Sequence, residues 1–151
     1  YNVVAFVSRL LFRKAPQILG LSNTILIGFG FMSLSMLLYL PLQNESHFWL
    51  PATAGGLAHC FLFPSVIAAC TNAFATVHRG IATQLILGMY DLGVLVGMPV
   101  IGFMVTEARA KGLQPYPFTI KMLFGTIVVV SLAYLLIEKL KSRRIDRQPM
   151  A

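Results

Sequence analysis

Three side chains that can carry a proton or a polar contact sit inside long apolar runs: Asp91, His59 and Asn72. Asp91 lies in GMYDLGVLVGMP, residues 88–99, twelve residues past Arg79. On a helix that is about 18 Å along the axis at 1.5 Å per residue. A hydrocarbon core is about 30 Å thick, so this point is past its middle. A carboxylate there costs roughly 2.5–3.5 kcal/mol on insertion scales unless it faces protein or water, or is protonated. Two roles fit it. One is an acid that couples protons or touches a substrate; the other is a structural hydrogen bond to a neighbouring helix.

His59 lies in WLPATAGGLAHCFLFPSVIAACTNAFA, with Gly55 and Gly56 on its side of a helical wheel. An imidazole changes charge near neutral pH. Small residues beside it predict either a cavity wall or a tight helix contact, with the histidine acting as a switch or as a neutral hydrogen-bonding group. Ser65 and Asn72, seven residues apart, share another side, and Pro64 lets the helix bend.

Other chemistries lack their residues. No Ser-His-Asp set, phosphate loop or pair of carboxylates is present, so an enzyme is not expected. His47, His59 and His78 are 12 and 19 residues apart, with no further ligand at metal-binding spacing. No metal and no cofactor are expected. Cys60 and Cys70 lie ten residues apart in one run, about 15 Å along a helix. A disulfide needs Cα atoms within about 7 Å, so they do not bridge each other.

The elements that must hold these groups are membrane spans. Of 151 residues, 57% are hydrophobic and only 11% charged, against roughly 25% charged in a soluble domain. Each of four segments, about 18–42, 48–76, 80–106 and 118–137, supplies the roughly 20 apolar residues that a crossing needs. Residues 1–12 resemble the tail of a fifth helix whose start is missing. Short connections force neighbouring spans to run antiparallel.

The net charge of +7 does not indicate nucleic acid, because the cations sit at the ends of apolar runs. Arg9, Arg13, Lys14, Arg79, Lys139, Lys141, Arg143, Arg144 and Arg147 fall on one side of the alternating spans. Only Arg109, Lys111 and Lys121 fall on the other. Nine against three predicts that residues 9–17, 76–80 and the tail 138–151 are cytoplasmic in a plasma or inner membrane.

Within the third span, Gln84, Gly88, Asp91, Leu95, Met98 and Gly102 form one helical stripe, which is expected to face protein. Gly93 and Gly97 lie on another, with Ile86, Tyr90, Val100 and Met104. A G-x-x-x-G pair permits close backbone approach, and Pro99 removes one helical hydrogen bond.

The run from Gly56 to Met104 resembles helices ten and eleven of the major facilitator superfamily. The shared pattern is a glycine-rich helix with a proline, then R-G-x-A at Arg79, Gly80 and Ala82. D-x-G-x-x-x-G-x-P-x-x-G follows at Asp91, Gly93, Gly97, Pro99 and Gly102. The resemblance implies an all-α chain of four antiparallel spans plus the end of a fifth, part of the C-terminal six-helix half of a twelve-helix transporter. It implies His59 and Asn72 as cavity candidates. It implies Gly93, Gly97, Pro99 and Gly102 as a packing and gating segment, similar to the glycine-proline motif of antiporters. Arg9, Arg13 and Lys14 correspond to the family's basic loop between helices eight and nine, where Leu10, Leu11 and Phe12 stand in place of its usual acid.

The expected function is alternating-access transport of a small molecule, efflux or uptake, with protons as the coupling ion. The lipid bilayer and a missing N-terminal part of the same chain are the expected partners. The alternative is a small membrane protein that oligomerises through Gly93 and Gly97 as an assembly or channel subunit.

Overall fold

The computed structural model describes residues 2–12, 14–42 and 45–145. They form six helices: α1 (Asn2–Leu11), α2 (Ala15–Leu19), α3 (Leu21–Tyr39), α4 (Trp49–Asn72), α5 (Arg79–Ala110) and α6 (Pro115–Ile145). Single 3-10 turns precede α4 and α5, and no strand occurs among the described residues. Four of the helices are long and apolar enough to cross a membrane: α3, α4, α5 and the Pro115–Leu140 part of α6. α6 does not stop at residue 137 but continues as helix to Ile145; residues 146–151 lie outside the described residues.

Helix ends follow local chemistry. Pro115 and Pro117 stand in the first turn of α6, where a missing N–H leaves no bond unmade. α5 ends in a Schellman turn: Leu113 N–H donates to Ala108 C=O at 2.9 Å and Gly112 N–H to Arg109 C=O at 3.0 Å. Gly112 has φ +69°, which a side chain would strain. Gly20, φ +82°, likewise makes the corner between α2 and α3.

The spans alternate in direction. Ser35 Oγ donates to Pro51 C=O at 2.8 Å and Tyr39 meets Phe48, so the end of α3 adjoins the start of α4. Ser22, at the start of α3, donates to Glu138 near the end of α6. Phe63 of α4 touches Tyr90 of α5, and Cys70 and Phe74, near and just past the end of α4, share a cavity wall with Leu85 and Ile86, early in α5. Hence α3 and α5 run one way, and α4 and α6 the other.

The tightest packing is between α3 and α4. A Cβ built on Gly28 would lie 2.6 Å from Leu62 Cγ and 3.0 Å from its backbone nitrogen. Thr24 and Ile25 of α3 and Pro51, Ala54, Gly55, Ala58 and Ser65 of α4 are buried. Lipid is as apolar as these side chains, so close contact and interhelical hydrogen bonds hold such a pair together.

Hydroxyls in the spans are mostly satisfied within their own helix. Thr24, Thr71, Thr106, Thr126 and Ser131 each donate to the carbonyl four residues earlier. Ser22 and Ser35 instead reach another helix. Ser65 is the exception: it is fully buried, and its Oγ has no partner among the described residues.

Candidate functional site

The middle of α4 gathers groups from three helices onto one ring, Phe63. The Arg9 guanidinium, in the last turn of α1, lies 5.6 Å from the ring centroid. His59 stacks on the same ring, one helical turn earlier, with centroids 5.3 Å apart and planes 12° from parallel. Tyr90 of α5 meets Phe63 edge-on at 5.6 Å and 76°. An arginine over an aromatic face is attracted by the ring quadrupole, more strongly when water is excluded. Edge-to-face rings are favoured in the same way.

Two cavities flank this cluster and share Phe63 and Ile67. One, of about 760 Å³, lies between α1 and α4 and is lined by Arg9, Phe6, Phe12, Cys60, Phe61 and Thr71, among others. The other, of about 670 Å³, lies between α4 and α5, with His59, Leu62, Val66, Met89 and Tyr90 in its walls and Phe29 and Met32 of α3 closing one side. Both fall in the size range of small-molecule sites, about 300–1,000 Å³, and such sites pair apolar walls with few polar groups.

His59 therefore lies in a cavity wall, half-buried. Asn72 does not join it. It is the last residue of α4 and exposed, thirteen residues or about 20 Å along the axis from His59. Asp91 is the neighbour of Tyr90 in sequence but occupies another side of α5. It is exposed, and its side chain makes no hydrogen bond or ion pair among the described residues. Its whole stripe, Gln84, Gly88, Leu95, Met98 and Gly102, is exposed too. None of these residues is buried within this chain, where the sequence pattern suggests a stripe that faces protein.

Gly93 and Gly97 line a shallow groove of about 380 Å³ with Tyr90, Val94, Met98 and Ile101. Nothing lies within 4 Å of a Cβ built on Gly93, Gly97 or Gly102. No helix of the described chain packs closely there; that role falls to Gly28. Pro99 is inside α5 and exposed.

The basic positions divide. Arg79 opens α5 and is exposed, and Lys14 caps α2; Arg13 lies outside the described residues. Arg9 is not in a loop. It stands beside Phe63, nine residues before the end of α4, which is about 13 Å along that helix. Charge counting places a cation by its neighbours in sequence and does not register that α1 ends beside the middle of α4.

A second polar group was also hidden from the sequence. Ser22 donates to Glu138, and Tyr134, one turn before Glu138, reaches Ser22 Oγ at 3.4 Å. The partners are 116 residues apart. The one available signal was a tyrosine and a glutamate at i, i+4 on the last span. No protein-family model, no curated protein and no solved structure matches this chain.

Proposed function

We propose that this chain supplies helices nine to twelve of a secondary transporter of the major facilitator type, which moves a small molecule by alternating access coupled to protons. The observation that carries the reading is the setting of α4. This helix contains Pro64 in its interior and has a cavity on each side, with His59 in the wall of one and Phe63 shared by both. A helix that can bend between two cavities suits a wall that opens alternately to the two faces of a membrane. The end that carries Lys14, Arg79 and Lys139 is the cytoplasmic one, following the excess of basic residues there.

His59 is the better candidate for proton coupling, because it lies in a cavity wall, whereas Asp91 faces outward. The test is solute-driven proton flux in proteoliposomes holding a pH-sensitive dye. Candidate solutes are compared across the wild type, His59→Ala and Asp91→Asn. His59→Ala is expected to abolish the coupled flux while binding persists. Unchanged pH dependence in both variants defeats the proton-coupling part; absence of any solute-dependent flux defeats the transport reading.

A second reading is favoured by the open groove over Gly93 and Gly97, which suits close approach by a helix of another subunit. In it the chain is an oligomerising assembly or channel subunit. Disulfide trapping of Gly97→Cys between copies is its test, and a monomer under trapping conditions rejects it.

A further inference from the structure

We infer that the cavity between α1 and α4 is a binding site for an organic anion with an apolar body, held at its charged end by Arg9. This names a ligand class for the transport reading and rests on it only for the ligand's passage, not for its binding.

Arg9 is a guanidinium beside the middle of a membrane-length helix, about 13 Å along α4 from that helix's end, and is exposed within this chain. A cation in the hydrocarbon region costs roughly 2.5–3.5 kcal/mol on insertion scales, and such residues usually face a cavity and pair with an opposite charge. Arg9 faces a cavity. Among the described residues it has no carboxylate partner; the ion pair found among them is Lys111 with Glu107, at the C-terminal end of α5. Contact with the Phe63 face offsets part of the cost but leaves the forked N–H donors available, and that fork matches a carboxylate, sulfonate or phosphate.

The rest of the cavity is suited to an apolar, preferably aromatic, body. Phe12 and Phe61 meet with centroids 5.3 Å apart, and Phe31 stacks behind Phe61 at 5.9 Å. Phe6 and Ile67 are also in the wall. The hydroxyl of Thr71 is already committed to the Ile67 and Ala68 carbonyls, and that of Thr24 to Gly20. Arg9 thus supplies the polar recognition. A soluble anion can carry its charge to this depth with its body, whereas a phospholipid keeps its headgroup at the interface.

The test is calorimetric titration of the full-length protein in phosphatidylcholine nanodiscs with 1-naphthoate, the neutral 1-naphthylmethanol and the cationic 1-naphthylmethylamine. Naphthoate is expected to bind best. Arg9→Gln is expected to weaken naphthoate roughly tenfold or more, the loss of a hydrogen bond to a charged group, and to leave naphthylmethanol unchanged. Arg9→Lys, which keeps the charge and loses the fork, is expected to fall between them, so the conclusion does not depend on one variant folding. Equal naphthoate affinity in wild type and both variants, no naphthoate binding to the wild type, or a preference for the amine overturns the proposal. Loss of naphthoate binding when phosphatidylglycerol replaces part of the phosphatidylcholine assigns the site to a lipid headgroup and also overturns it. Binding without flux in proteoliposomes upholds the site and counts against transport alone.

Discussion

Gly28 of α3 and Leu62 of α4 approach so closely that a methyl group on the glycine would fall 2.6 Å from Leu62 Cγ. The neighbouring Leu62 nitrogen, at 3.0 Å, belongs to the backbone and cannot swing aside. Gly28→Ala is therefore expected to push the two helices apart and to destabilise the protein by about 1–3 kcal/mol, the usual range for overpacking. Gly93→Ala, with nothing within 4 Å, serves as the contrast and is expected to leave the contacts within this chain unchanged. Reversible unfolding of both variants in bicelles measures the difference; equal effects would mean that α3 and α4 are not in this register.

Ser35→Ala removes the hydroxyl that bonds to Pro51 C=O across the same interface. Interhelical hydrogen bonds in membranes average about 0.6 kcal/mol and reach about 1.7. The burial of Ser35 places this one toward the upper part of that range. The same unfolding assay gives the value, and a loss below measurement error would remove the bond from the list of what holds the pair.

Ser65→Ala should go the other way. The hydroxyl is fully buried with no partner among the described residues, and leaving such a group unmet costs about 1–3 kcal/mol. Removing it, which leaves the alanine methyl, is expected to be neutral or stabilising. A marked destabilisation would show that the Ser65 hydroxyl has a partner.

Ser22 and Glu138 tie the start of α3 to the end of α6. In a double-mutant cycle, Ser22→Ala and Glu138→Gln are expected to be non-additive by about 0.5–1.5 kcal/mol. Tyr134→Phe is expected to matter little, since its 3.4 Å contact is at the outer limit of a hydrogen bond. Additive losses would mean that the serine and the glutamate act separately.

Cys70 is exposed and Cys60 is buried against α1 and α3. N-ethylmaleimide in detergent is expected to label Cys70 first, so Cys70→Ser should remove the fast phase seen by mass spectrometry. A fast phase that survives in Cys70→Ser would place Cys60 at the surface.

The four spans were legible because unbroken apolar runs of that length have few other uses. Their ends were less so: α6 continues past residue 137 because charged residues that favour water, such as Lys139, still favour helix. Asp91 and His59 stood out as polar groups in apolar runs, but only geometry separates a cavity wall from an outward face. Glycine spacing pointed to α5, whereas the close approach is at Gly28, since G-x-x-x-G records permission rather than the presence of a neighbour. Arg9 over Phe63 and Ser22 on Glu138 were not legible at all. Each depends on where one helix stops against the side of another, which periodicity along a single helix does not encode.

Burial is unevenly shared among the spans. α3 and α4 bury residues along their length, from Thr24 to Ser35 and from Pro51 to Ser65, while α5 buries only Ala82 and Ala108, near its two ends. Opening free energy follows local packing, so the chain should come apart in a set order. The α5–α6 pair would let go first, as a hinged flap anchored at its extremities. The α3–α4 hairpin would hold until the last, and amide hydrogens around Gly28 would be the slowest in the molecule to exchange.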